Sequence, residues 1–252
     1  MGEKYDATRG ASRSVLAPIA EALGPPAGRS LLDIGGGTGN FARPLAEAGF
    51  QVTLADYWPE MIRRAAAKLD GTFVVADGQQ LPFRDTAFDC GISVNVLGLM
   101  PDWQRALKEA RRVVRDGPLS AQGVDAGDGD GELDHELPAG ATGLCAATPL
   151  PAGSGDGARA ARCRLLAGRT AVIHYTDLVD GSLQALKHQP ELLLDDKHIL
   201  NTAVLMRVPE QVRHEAIETI RRDYARCRLR EIIAEFEPLV REYGDGFVFA
   251  AR

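Results

Sequence analysis

The chain has 252 residues, of which 45% are hydrophobic and 25% charged, and it carries a formal net charge of -6 at pH 7. This length and composition suit a globular protein with a full core. The acidic balance argues against a general nucleic-acid binder, which needs a basic face. No run of about 18 apolar residues is present, so we expect no membrane span.

The cysteines and the N-terminal residues indicate the compartment. No Cys-x-x-Cys spacing occurs, which argues against a zinc knuckle or a redox pair, and we predict no metal site. The first residues lack the apolar core of a signal peptide. We therefore expect a cytoplasmic protein with reduced thiols; the four cysteines are Cys90, Cys145, Cys163 and Cys227.

Residues 1–118 alternate between strand-like and helix-like patterns. A helix over 11–23 comes first. The predicted strands that follow are 30–34, 51–55, 72–76 and 88–96, and the predicted helices between and after them are 41–48, 59–68 and 102–114. This alternation predicts an α/β fold in which a Rossmann-like, doubly wound parallel sheet carries helices on both faces.

Residues 119–173 are atypical for such a fold. They contain no Phe, Tyr or Trp, and 22 of the 55 are Gly or Ala, so burial offsets little of their ordering entropy. We expect this segment to be disordered and to lack the fifth and sixth strands. Two explanations stay open: a natural glycine-rich loop, and a stretch translated in a shifted frame. Residues 156–167 can be encoded so that the neighbouring frame gives an amphipathic helix ending in Gly-Phe.

Residues 174–252 are again well patterned. Helices are predicted at 209–224 and 228–243, and a final strand at 247–250. We interpret this third segment as helical elements that cap the substrate side of the domain formed by 1–118.

A glycine cluster after the first predicted strand is the strongest chemical signal. Asp33 ends the strand, and the glycines that follow let a ligand approach the backbone where side chains would clash. They are Gly35, Gly37 and Gly39.

Two more acids end the next two predicted strands. A carboxylate at Asp56 can accept both hydroxyls of a ribose. Asp77 could accept from an exocyclic amine while the amide of Gly78 donates to a ring nitrogen, and Met61 could lie against an adenine face. The order of these groups indicates a nucleoside-containing ligand.

Together these residues resemble the class I S-adenosylmethionine-dependent methyltransferases, in particular the small-molecule branch near the ubiquinone and menaquinone methyltransferases. The resemblance covers roughly residues 5–118 and includes Glu109-x-x-Arg112 in the last helix. It implies S-adenosyl-L-methionine as cofactor and in-line methyl transfer to a small-molecule acceptor. The cofactor-binding residues expected on this basis are Asp33, Gly35, Gly37, Gly39, Asp56, Tyr57, Met61, Asp77, Gly78, Asn95 and Arg9.

Two other functions stay open at this point. Gly37-x-Gly39-x-x-Ala42 matches the dinucleotide fingerprint, with Asp56 as the ribose acid, so an NAD(P)-dependent oxidoreductase is the first alternative. Asp33 argues against this alternative, because its carboxylate would repel a pyrophosphate. The same carboxylate suits a cationic ammonium or sulfonium group. A defective, non-catalytic methyltransferase-like protein is the second.

No catalytic residue is assigned. A general base is needed only where the acceptor is a hydroxyl or an acidic carbon. The candidate bases all lie in the C-terminal segment: His174, Tyr175, His188 and His198. The sequence does not indicate which oligomeric state the protein adopts.

Overall fold

The computed structural model describes residues 6, 9–114, 117–123, 168–173, 190–195, 198, 209–243 and 246–251. The strands are β1 (Ser30–Ile34), β2 (Gln51–Asp56), β3 (Thr72–Val75), β4 (Cys90–Val94), β5 (Leu119–Gly123), β6 (Gly168–Ile173) and β7 (Gly246–Ala251). The α-helices are α1 (Arg13–Leu23), α2 (Ala42–Glu47), α3 (Pro59–Ala66), α4 (Trp103–Val113), α5 (Glu210–Ala225) and α6 (Arg228–Tyr243).

The seven described strands form one sheet in the order β3-β2-β1-β4-β5-β7-β6. Strands β1 to β5 pair in parallel, and β7 lies antiparallel between β5 and β6. The strand order reverses beside β1, between β2 and β4. In open α/β sheets, ligands bind outside the carboxyl ends of the strands at this switch point.

Helices pack on both faces of β1, as the alternating pattern predicts. On one face, Val15 and Ile19 of α1 pack in a cluster with Leu31. On the other, Val113 of α4 packs in a cluster with Leu32. Because both faces are covered, the strand is apolar along most of its length, as is typical of parallel sheets. The doubly wound α/β prediction is confirmed.

Local sequence signals set the ends of several helices. The Asp102 side chain accepts a hydrogen bond from the amide of Arg105 (2.9 Å) and caps α4. Pro59 stands at the first position of α3, where its missing amide costs no helical hydrogen bond. Both features agree with the predicted helices.

The prediction that no fifth or sixth strand follows residue 118 is wrong. In β5, Leu119 pairs in parallel with Gly91 of β4 and antiparallel with Ala251 of β7, and β6 completes the edge of the sheet. Leu119 and Ala121 are buried. The sequence of β5, LSAQG, has weak strand propensity, so pairing on both sides determines its conformation. The expectations for residues 124–167 lie outside the described residues.

The C-terminal helices and the final strand are found close to their predicted bounds. Among the described residues, α5 buries no side chain fully. Within the part of the chain that the structure describes, every helix is too short or too polar to cross a membrane.

Candidate cofactor site

The turn between β1 and α2 is built by glycines. Gly35, Gly37 and Gly39 all have positive φ, at 70°, 57° and 79°, a backbone conformation that side chains disfavour. The amide of Gly35 donates to the carbonyl of Ala55 at 2.7 Å, which ties the turn to β2. A Cβ on Gly39 would lie 2.6 Å from a methyl group of Leu69. The glycines therefore allow a tight turn at the carboxyl end of β1.

Asp33 is buried directly behind this turn. The residue is 1% exposed, and no described residue donates a hydrogen bond to its Oδ2 atom. Burial raises the pKa of Asp33 to about 7, and the charge of Asp56 adds to the effect. A buried, unpaired carboxylate is costly by itself, so the position favours a positively charged ligand.

Asp56 ends β2 and is held by two backbone amides. Its Oδ2 accepts from Gly37 at 2.9 Å and its Oδ1 from Trp58 at 2.8 Å. Burial raises the pKa of this carboxyl group, and the two hydrogen bonds oppose that rise. Each oxygen keeps one further acceptor position. The carboxylate is thus fixed in orientation and able to accept from a pair of hydroxyls.

Asp77 lies in the loop after β3, with an exposed side chain. The amide of Ala76 donates to the carbonyl of Asp56 at 2.9 Å, so this loop follows the end of β2 directly. A Cβ on Gly78 would lie 2.6 Å from the terminal methyl of Met100, so a larger residue there requires the Met100 side chain to shift. The Gln79 side chain contacts both carboxylate oxygens of Asp77, a contact that the sequence did not predict.

Glu109 and Arg112 of α4 hold the far end of this loop. The amide of Leu81 donates to Glu109 Oε2 at 2.9 Å, and Arg112 donates to the carbonyls of Leu81 (3.0 Å) and Phe83 (2.8 Å). Arg112 also pairs with Glu109 (2.7 Å) and Asp85 (2.8 Å). The sequence identified Glu109-x-x-Arg112 as part of a family pattern, and the structure shows that it fixes the loop that follows Asp77.

The N-terminal residues meet the glycine turn through Asp6. Its carboxylate accepts from Thr38 Oγ1 and from Lys68 Nζ, both at 2.5 Å. The Asn40 side chain donates to the main-chain carbonyl of Arg9, so the backbone of Arg9 lies beside the turn. The sequence did not predict the role of Asp6, because its partners are 32 and 62 positions away.

The other predicted site residues lie at the same edge of the sheet. Tyr57 and Trp58 follow β2, are 62% and 64% exposed, and contact each other edge to face at 5.3 Å. Trp58 therefore lies outside the core. Met61 is half-buried in α3. Asn95, just past β4, is exposed with φ at 56°, a left-handed conformation that asparagine tolerates well.

Candidate proton-transfer groups are described in part. Of the four predicted bases, only His198 lies within the described residues, and its Nδ1 is 3.7 Å from Asp195 Oδ2. His174, Tyr175 and His188 lie outside them. In the described part of the chain, no three His, Cys, Asp or Glu residues are grouped as a metal site.

Comparison with known families shows what part of the chain is similar to. Residues 32–120 match a family model described as "Methyltransferase domain". This stretch begins in β1 and ends in β5, so it includes the glycine turn and all three acids. This region is therefore similar to methyltransferase domains, and that similarity implies S-adenosyl-L-methionine as the cofactor.

Named relatives match the chain over a similar length. An uncharacterized methyltransferase of Mycobacterium sp. (strain JLS) is 41% identical over 96 residues, 38% of each protein. An uncharacterized protein of Mycobacterium tuberculosis (strain ATCC 25618 / H37Rv) is 35% identical over 117 residues, 42% of each. The match thus covers less than half the length of these relatives.

A solved structure extends the likeness in fold. A protein of Anabaena variabilis ATCC 29413, described as a candidate methyltransferase from an antibiotic biosynthesis pathway, superposes with a TM-score of 0.70. The superposition covers 97% of this chain and 98% of that one at 18% identity. The chain therefore shares the Rossmann-like α/β fold of that structure.

The residues present fit this cofactor. The unpartnered buried oxygen of Asp33 suits the cationic amino acid end, and the two free acceptor positions of Asp56 suit a ribose.

Proposed function

We propose that this chain transfers a methyl group from S-adenosyl-L-methionine to a small-molecule acceptor by in-line displacement. The observation that carries the proposal is the buried Asp33 carboxyl group, whose Oδ2 has no described hydrogen-bond donor, behind a glycine turn that Asp56 fixes from the next strand. A buried, unpaired carboxylate lowers the stability of the fold unless a cation balances its charge. The net charge of -6 supports a small acceptor over a nucleic acid.

The cofactor-binding set that we propose is the one predicted from the sequence. Asp33 balances the positive charge of the cofactor, and Asp56 accepts hydrogen bonds from the ribose hydroxyls. Asp77 and Gly78 contact the adenine base, which Tyr57 and Met61 flank.

Three further parts of the chain complete the proposed set. Asn95 lines the opening of the site at the end of β4. Arg9 contacts the carboxylate of the cofactor. The position of the Arg9 backbone beside Asn40 supports this role. The glycines Gly35, Gly37 and Gly39 supply the open turn.

When bound, S-adenosylmethionine supplies a methyl group already activated by the sulfonium charge. The chain's own residues then have to hold the ligand, align the acceptor with the sulfur–methyl bond and exclude water. Asp33 and Asp56 fix the ligand from two neighbouring strands. We place the acceptor under the segment 174–252, as a cap over the domain formed by residues 1–118.

The geometry disfavours the dinucleotide alternative. The Gly37 amide, which the fingerprint would direct to a pyrophosphate, donates to Asp56 Oδ2 at 2.9 Å. Asp33 adds a second carboxylate behind the same turn. A doubly charged pyrophosphate would therefore meet repulsion and an amide that is already engaged.

Thermal unfolding and calorimetry with S-adenosylhomocysteine and with NADP test the proposal. A ligand that binds the native state alone raises its stability. We expect stabilisation by S-adenosylhomocysteine only, abolished in an Asp56→Ala variant. Stabilisation by NADP would support the oxidoreductase, and stabilisation by neither ligand would support a non-catalytic protein. Methyl transfer itself is then measured with labelled cofactor and a panel of small acceptors.

A further inference from the structure

We propose that Gln79 is a positioning residue that makes the site selective for an amino purine, by presenting one chosen oxygen of Asp77 to the base. This inference rests on the proposed function, since it assumes that Asp77 contacts the adenine of the cofactor. It adds a residue that neither the sequence pattern nor the fold assigns to binding.

The hydrogen bonds at Asp77 are unequal between its two oxygens. Oδ1 accepts from the Gln79 amide at 2.8 Å and from Gln79 Nε2 at 3.1 Å. Oδ2 accepts only a longer contact from the same Nε2, at 3.3 Å. A carboxylate oxygen has about two acceptor positions. Among the described residues, Oδ1 is therefore filled, and Oδ2 keeps the position that a ligand donor can use.

The Gln79 side chain is itself anchored at its other end. Its Oε1 accepts from the backbone amide of Asp102 at 2.8 Å, at the start of α4. This contact determines the orientation of the side-chain amide, because only the nitrogen is then left to face Asp77. Asp102 is fixed in turn as the helix cap, through its bond to Arg105. The rotation of the Asp77 carboxylate is thus set by the end of a helix.

An acceptor held in this way discriminates between purines. The exocyclic amine of adenine donates to Oδ2, whereas the C6 carbonyl of hypoxanthine would place an oxygen against it. The Asp77 carboxylate then faces a second acceptor in place of a donor, so the hypoxanthine ligand loses this hydrogen bond and meets repulsion between two oxygens. Without Gln79, the carboxylate can rotate, and the difference between the two bases shrinks.

The test measures binding of S-adenosylhomocysteine and of S-inosylhomocysteine, its hypoxanthine counterpart, by calorimetry. We expect the wild-type chain to prefer the adenine ligand by about tenfold to a hundredfold. Gln79→Ala should reduce this preference by about tenfold, mainly by weakening the adenine ligand. Gln79→Glu keeps an oxygen for the Asp102 amide but replaces the donor to Asp77, so it should reduce the preference at least as much.

Gln80→Ala is the matched control, since Gln80 is the same residue type at the next position, with an exposed side chain. It should keep the wild-type preference. Equal weakening of both ligands in Gln79→Ala, or an unchanged preference in Gln79→Glu, would overturn the positioning role. If wild-type chain binds neither ligand, the proposed function itself fails, and that result is distinct from both outcomes.

Discussion

Asp33 and Asp56 lie at the carboxyl ends of two neighbouring strands of the sheet, and their carboxyl groups interact unfavourably. Asp33 has no described hydrogen-bond donor at Oδ2, whereas Asp56 accepts from two amides. Burial, with the charge of Asp56, raises the pKa of Asp33 to about 7. The ionised form of Asp33 is therefore unfavourable in the free chain and favourable beside the positive charge of the proposed ligand, so stability and binding should respond oppositely to changes at Asp33.

The first prediction concerns stability without ligand. Because the folded-state pKa of Asp33 lies above its ordinary value of 3.8, this group's contribution to stability falls as pH rises from about 4 to about 7. Asp33→Asn has no carboxyl group to ionise at this position, so the variant does not lose this stability as pH rises. We expect the variant to unfold at a higher temperature than wild type at pH 8, by roughly 2–4 °C for each kcal/mol gained. The gain should vanish at pH 4, and a loss of stability at pH 8 would contradict the assignment.

The second prediction concerns the pH dependence of cofactor binding. A positively charged ligand favours the ionised form of Asp33, so its affinity should increase as the carboxyl group loses its proton. With the pKa of Asp33 at about 7, we expect affinity for S-adenosylmethionine to rise about tenfold from pH 6 to pH 8. Calorimetry at several pH values measures it. Asp33→Asn should bind more weakly, with a flat profile over the same range.

The third prediction concerns the contact between Asp6 and Lys68. Burial raises the pKa of Asp6, but hydrogen bonds from Lys68 and Thr38 outweigh it and leave the pKa below its ordinary value. The contact should therefore stabilise the chain above about pH 4 and be lost at lower pH. Since both side chains are 25% exposed, we expect Asp6→Asn to cost about 1 kcal/mol or less.

The readout for Asp6→Asn is amide hydrogen exchange in the glycine turn, together with denaturant unfolding at pH 7. Exchange at Gly39 and Asn40 should become faster in the variant. Glu47→Gln, which breaks the exposed Arg43–Glu47 pair of α2, is the control and should leave the turn unchanged. Equal exchange in wild type and Asp6→Asn would show that the contact does not restrain the turn.

The fourth prediction concerns Arg112. Arg112→Ala leaves the carbonyls of Leu81 and Phe83 and two carboxylates without their donor. We expect a loss of about 1–3 kcal/mol in unfolding free energy and weaker binding of S-adenosylhomocysteine, because the loop after Asp77 loses its anchor. Lys108→Ala, an exposed position on the same helix, should change neither quantity. Unchanged binding in Arg112→Ala would separate this anchor from the ligand site.

The fifth prediction concerns the coding sequence for residues near 119–173. We expect the neighbouring frame to be open throughout and to encode an amphipathic helix across the codons for 156–167. Sequencing the gene from its source decides the point. Stop codons in the alternative frame would leave a natural glycine-rich segment as the explanation.

The parts of the site that the sequence predicted depend on local patterns. The strand ends at Asp33 and Asp56 and the intervening glycines follow from short apolar runs and turn residues, and the structure confirms their position. The helix cap at Asp102 follows from the same kind of signal.

The parts that the sequence did not predict depend on distant pairing. β5 has small and polar residues, and β4 and β7 supply the hydrogen bonds that make it a strand. Gln79 meets Asp102 across 23 positions, and Asp6 meets Lys68 across 62. No spacing rule joins residues that far apart, so such contacts become visible only once the chain is folded.

The position of β7 constrains the order of assembly during translation. β6 has β7 as its one described neighbour, and β7 is also the partner of β5. The ribosome must therefore release residues 246–251 before the sheet can extend past β5, while the first five strands need no such delay. A nascent chain would therefore form the part of the sheet from β1 to β5 early and leave β5 as an unpaired edge. This state is the one most exposed to aggregation.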